Sequence, residues 1–184
     1  MSATLSFVIR DGVEGDILGC LRLDHSYDTD YVWQVQVSEE DGRRIDLKPE
    51  HLPRPVSVDY PVEEARFHPV LRADQCFLVA TTRDDDPEVI AYLTMHADPL
   101  YRLGVVKDLV VSRPYRRQKI GTRLLKIATV WAKEHQLTSV MIETQTKNFP
   151  SIRFCEAAGF FFCGFNDRYF PNRDIAVFFS QSVR

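Results

Sequence analysis

A chain of 184 residues, 45% hydrophobic and 11% aromatic with a formal charge of −3, fits one globular domain over residues 1–184 with a substantial core. The mild acidity excludes a nucleic-acid binder that works by broad electrostatics. No apolar run approaches the ~20 residues that span a bilayer, so no membrane association is expected.

Cys20, Cys76, Cys155 and Cys163 show no Cys-x-x-Cys spacing and the five histidines are scattered, so no metal is expected. The first residues lack a positive segment followed by a long apolar core, and a reducing cytoplasm is the simplest setting for free thiols.

In chain order, residues 5–10 predict a strand with Phe7 and Ile9 on one side. Ile17, Leu18, Leu21 and Leu23 recur at nearly helical spacing, which predicts a helix from about 15 to about 25. Residues 31–37 alternate as a strand, 39–42 turn, and 44–48 return as its partner in a β-hairpin. Four of the ten prolines (Pro49, Pro53, Pro55, Pro61) fall within 49–61. They predict a stiff extended connection, so 31–62 reads as a hairpin with a proline-rich insertion. A short helix is expected over 63–71, ending near Pro69. Two antiparallel strands follow, 76–82 and 89–96, joined by a solvated acidic tip at Asp84, Asp85 and Asp86.

Residues 104–125, GVVKDLVVSRPYRRQKIGTRLL, organise the rest. Val105, Val106, Leu109, Val110 and Val111 suit a strand covered on both faces. Pro114 stops it, and a helical pattern starts around Gly121 with Leu124, Leu125, Ile127, Ala128, Trp131 and Ala132 as its apolar stripe. A helix start exposes N–H groups without intrahelical partners and carries partial positive charge. With Arg116, Arg117 and Lys119 beside it, it can hold a phosphate-bearing ligand; a solvated basic turn is the alternative. Residues 139–145 predict a strand parallel to the central one, because a helical crossover joins them. Asn148 predicts a helix N-cap, Gly159 a stop, and 160–165 with 175–179 a closing aromatic hairpin. The element order implies a mixed α/β fold.

The turn Arg116-Arg117-Gln118-Lys119-Ile120-Gly121 resembles motif A of the GNAT superfamily of acyl-CoA-dependent N-acyltransferases, with Lys119 where the family usually has its first glycine. At φ > 0 a lysine costs ~1 kcal/mol, which approach of its ammonium to a diphosphate would offset. Residues 140–160, VMIETQTKNFPSIRFCEAAGF, resemble motif B through Asn148, Phe154, Glu156, Gly159 and Phe160. Ser151 and Cys155 replace the family's alanine and tyrosine. The resemblance implies a twisted mixed sheet, flanked by helices, whose central parallel strands splay apart. It implies acetyl-CoA on the backbone of Leu109, Val110 and Val111. The diphosphate would lie at Gln118, Lys119, Ile120, Gly121 and Thr122, with Arg116, Arg117, Asn148 and Phe154 nearby.

Joining an amine to a thioester requires a base for the amine, donors for the oxyanion and a proton for the leaving thiolate. By resemblance to the ribosomal-protein alanine acetyltransferases, Glu143 is the candidate base; a structural carboxylate is the alternative. Asp108 is the second candidate, on a strand where Lys107 precedes it. For the acid, Cys155 occupies the family tyrosine's position, though a helix cysteine beside Phe154 also reads as packing. Tyr169 or a water is the substitute.

The acceptor is a primary amine, but the resemblance divides. Glu143-Thr144-Gln145 is similar to streptothricin acetyltransferases, which act on a small molecule. Residues 166–179 are similar to protein-alanine acetyltransferases, which act on peptide N-termini. Asp24, Asp30 and the acidic region 39–46 could attract a cationic amine or be plain solvated surface. A non-catalytic acyl-CoA-binding sensor or interaction module is the other class. The edge of the 31–48 hairpin is available to a second subunit in a homodimer.

Overall fold

The computed structural model describes residues 6–39, 42 and 44–183. The chain divides into two compact units. The first comprises Pro61–Ile142 with the segments up to His25 and from Ser180, and the second Ser26–Tyr60 with Glu143–Phe179.

In the first unit, β1 (Phe7–Asp11), β4 (Cys76–Thr82), β5 (Val89–Asp98) and β6 (Leu103–Val111) pair antiparallel in that order. All seven residues of β4 are buried, so it is covered on both faces. Phe77 and Val79 join Ile17 and Cys20 of α1 (Ile17–Leu21), together with Phe67, Val70 and Tyr92, in one core cluster. Alternation sends Leu78 and Ala80 to the opposite face. There α2 (Ile120–Glu134) packs against β4, β5 and β6, burying Leu124, Leu125, Ala128 and Ala132.

Two expectations are corrected here. The first helix has five residues, Ile17–Leu21, preceded by a 3-10 turn at Glu14–Asp16. Leu18, counted in its apolar stripe, is 62% exposed. Ile127 also leaves the buried stripe of α2 at 40% exposure. Leu124, Leu125, Ala128 and Ala132 are the buried members of that stripe, so the buried face is narrower than the sequence stripe. Residues 63–71 hold two 3-10 turns, Glu64–Arg66 and His68–Leu71, instead of one helix.

The parallel register of β6 with β7 (Ser139–Gln145) runs from Leu103↔Ser139 to Val106↔Ile142. On its other side β6 pairs Asp108 with Thr94 and Val106 with Met95, so Lys107 is an extra residue in the ladder. Such a bulge bends the strand and increases its twist, and it falls immediately after the last parallel pair.

In the second unit, β2 (Tyr27–Ser38) and β3 (Arg44–Val58) form a two-stranded antiparallel ribbon. Pro49, Pro53 and Pro55 lie inside β3, not in a connection. Trp33, opposite Pro49, donates its N–H to Thr146 O at 2.9 Å. This pair therefore exchanges no ladder bonds, and Pro49 removes none. The turn expected at 39–42 falls partly outside the described residues. Against β2 packs α3 (Phe149–Ala157). As expected, Asn148 caps α3 by accepting from Ser151 N–H at 3.1 Å, and Gly159 stops it at φ 82°. The closing strands are β8 (Phe161–Asn166) and β9 (Ala176–Ser182). Strands β7 and β9 contribute residues to both units, and the seven-stranded sheet has the order β1-β4-β5-β6-β7-β9-β8. This is the mixed, helix-flanked sheet that the sequence implied.

Candidate functional site

In the first unit, one group of candidate residues lies on the passage from β6 to α2. Ser112 N–H donates to Ile90 O at 2.9 Å, a 3-10 turn follows at Arg113–Tyr115, and the chain then bends sharply. Arg117 and Lys119 both take left-handed backbone conformations, at φ 65° and 63°. Lys119 is the N-cap of α2, and no side chain caps that helix. The N–H groups of Ile120, Gly121 and Thr122 therefore start the helix without intrahelical partners. Ile120, 1% exposed, anchors this end in the core, leaving its backbone to serve the turn.

The cations of this turn divide into two kinds. Arg113 is ion-paired with the Asp24 carboxylate. Arg116 donates from Nε to Val111 O at 2.9 Å and from Nη2 to Asp24 O at 3.2 Å, so it ties the turn to the end of β6. Gln118 Nε2 donates to Pro114 O at 3.2 Å. The side chains of Arg117 and Lys119 are exposed and join no ion pair among the described residues. Uncapped donors with two available cations suit an anionic group.

On β6, Leu109, Val110 and Val111 are half-buried and pair with Leu93, Tyr92 and Ala91. Asp108 is 6% exposed. Its Oδ1 accepts from Arg66 Nη2 at 2.9 Å and its Oδ2 from Thr94 Oγ1 at 2.8 Å. With both oxygens engaged, it is built to pin the strand beside the bulge. His25 Nε2 lies 3.1 Å from the Tyr92 hydroxyl. Burial lowers its pKa, opposed by the Leu23 backbone and by the Asp108 and Asp24 carboxylates.

A separate group of candidate residues lies in the second unit. Glu143, half-buried on β7, accepts a hydrogen bond from the Tyr169 hydroxyl. The Tyr169 ring meets Phe170 and Phe178 edge-on, each with centroids 5.2 Å away. Two residues along β7, Gln145 Oε1 accepts from Tyr27 OH at 2.8 Å and its Nε2 donates to Asp174 Oδ2 at 2.8 Å. Asp174 also pairs with Lys147 at 2.6 Å and accepts from Asn172 Nδ2 at 2.6 Å. Burial pushes the Tyr27 hydroxyl well above the usual phenol range.

Of the expected site residues, the structure brings Glu143 and Tyr169 into contact and sets Leu109–Thr122 on one strand-turn-helix. Cys155 is 0% exposed and burial pushes its thiol up to about 12, which fits the packing alternative read from the sequence. Asn148 works as a helix cap and Phe154 is half-buried on α3. Sequence reasoning missed the Arg66–Asp108 pair and the Tyr27–Gln145–Asp174–Lys147 network, whose partners lie far apart in the chain and leave no periodic trace.

Residues 43–160, more than half of the chain, match the model of the Acetyltransferase (GNAT) family. The chain belongs to that family. Among GNAT relatives it is 37% identical over 51 residues to streptothricin acetyltransferase A of Bacillus subtilis (strain 168), covering 28% of this chain and 30% of that protein. It is 28% identical over 109 residues to N-alpha-acetyltransferase 30 of Xenopus laevis, covering 59% of this chain and 40% of that protein. The chain thus spans less than half the length of the curated relatives it matches. The crystal structure of nourseothricin acetyltransferase superposes with a TM-score of 0.84 at 23% identity, covering 97% of this chain and 99% of that one. That likeness shows the GNAT fold. No helix among the described residues is long and apolar enough to cross a membrane.

Proposed function

We propose that this GNAT chain moves an acetyl group from acetyl-CoA to the primary amine of a small molecule by direct attack, with a peptide N-terminus as the second acceptor class. The observation that carries it is the uncapped start of α2 below two left-handed residues and two available cations. The backbone N–H groups of Gln118–Thr122 hold the diphosphate, with Arg117 and Lys119 at its flank. The backbone of Leu109–Val111, beyond the last residue that β6 pairs with β7, holds the pantetheine arm and supplies an oxyanion donor. Bound there, acetyl-CoA supplies an activated acyl thioester.

In this assignment Glu143 takes the proton from the attacking amine, and Tyr169, already bonded to it, passes one to the departing thiolate. The proton lost by nitrogen is thus restored to sulfur through two side chains of this chain. Asp108 is given the role of holding β6. Arg116 acts on the shape of the turn, while Asn148 and Phe154 contribute through α3. The four free cysteines fit a reducing cytoplasm.

Thiol release from acetyl-CoA across a panel of amines is the test. Turnover with at least one amine is expected. Tight acetyl-CoA binding with no turnover for any amine would establish the sensor class instead.

A further inference from the structure

The loop between β8 and β9 carries chemistry that these roles leave unused. Asp167, Arg168, Phe170, Pro171 and Arg173 line one open hollow of about 580 Å³, within the size range of small-ligand sites. Its frame is fixed at both ends. Asn166 Oδ1 accepts from Arg168 N–H at 2.8 Å, and Asp174 is held by Gln145, Lys147 and Asn172. In the middle, Tyr169 is pinned by Glu143 and packs against Phe170. These bonds hold the backbone on either side of the hollow.

Its charge is the informative property. Arg168 and Arg173 line the hollow together with one acidic residue, Asp167, so the charge of its lining is positive on a chain whose net charge is −3. Neither arginine joins an ion pair among the described residues. Asp174, next to Arg173 in the chain, pairs with Lys147. Arg173 also takes a left-handed backbone conformation at φ 62° while donating its N–H to Phe170 O at 2.9 Å. A guanidinium presents a planar fork of donors that matches a carboxylate or a phosphate.

We propose that Arg168 and Arg173 bind an anionic group, a carboxylate or a phosphate, carried by the acceptor amine, whose nitrogen is thereby presented to Glu143. The acceptor is then an acid-bearing amine, in contrast to a polycation. This inference rests on the assignment of Glu143 as the base.

The test uses size-matched primary amines bearing a carboxylate, a phosphate, no charge or a second ammonium. Thiol release gives kcat/KM for each, and calorimetry gives acetyl-CoA affinity. An acid-bearing amine is expected to exceed its uncharged analogue about tenfold or more. The Arg168→Gln/Arg173→Gln double variant should lose that preference through KM, by roughly 10–100-fold, with the uncharged amine and acetyl-CoA affinity unaffected. The carboxylate and phosphate arms identify which anion is read. Rates indifferent to acceptor charge, a preference for the diamine, or a variant defect confined to acetyl-CoA would overturn the assignment. Should no amine release thiol, the catalytic role of Glu143 fails separately. Calorimetric binding of the acidic amines to the parent protein, against the double variant, then decides the hollow alone.

Discussion

The Tyr169 hydroxyl donates to the carboxylate of Glu143, 26 residues earlier in the chain. A phenol and a carboxylate so joined can accept one proton and release another without net change. Glu143→Gln should therefore lower kcat about 10²–10⁴-fold while leaving acetyl-CoA affinity near the parent value. Tyr169→Phe should lower kcat about tenfold or more with its fold intact by circular dichroism. Near-parental turnover in Glu143→Gln would remove the carboxylate from the reaction.

Lys119 occupies a left-handed position at φ 63°, which glycine adopts without the Cβ clash. Lys119→Gly should raise stability by about 1 kcal/mol and weaken acetyl-CoA binding, with a shallower dependence on salt. Chemical denaturation and calorimetry read the two effects separately. Tighter binding in the variant would mean that the ammonium hinders the turn.

Asp108 is buried between Arg66 and Thr94. Arg66→Met strips its cation and should cost about 3 kcal/mol in urea denaturation, because it leaves a buried charge uncompensated. Asp108→Asn removes that charge and should cost less. A loss under about 1 kcal/mol in Arg66→Met would show that the pair contributes no more than a surface bridge.

His25 has a pKa below its ordinary value, first because it is buried. The unfolded chain therefore takes up a proton before the folded chain does. Stability should fall as pH drops below about 6.5, and His25→Gln should flatten that part of the profile. The Asp108 and Asp24 carboxylates pull the same pKa up and the Arg66 cation pulls it down, so parent and variant are compared within one buffer series. An unchanged slope in the variant would assign the acid sensitivity to other groups.

The strand-turn-helix of β6 and α2 was legible because its signals are local: a β-branched run, Pro114, then an apolar stripe. The same holds for Asn148 and Gly159, each of which acts within a few residues of itself. The early helix was misread because Leu23 continues its spacing, while the chain is drawn away after Leu21 by partners at Arg113 and Arg116. In β3, prolines suggested a connection. They are tolerated because Pro49 lies opposite a tryptophan whose N–H serves Thr146, and Pro53 and Pro55 fall where the register with β2 shifts. Resemblance points to Glu143, and Tyr169 is a substitute acid on the final loop, but their contact depends on closure of that loop.

Asp24 receives Arg113 on its carboxylate and Arg116 on its carbonyl, residues some 90 positions away. The loop that leaves α1 is thereby latched to the turn that precedes α2. Anything that stiffens the turn also quiets the loop, so slower amide hydrogen exchange across residues 22–25 on adding acetyl-CoA is the expected signature of the proposed anion site, which those residues need not touch.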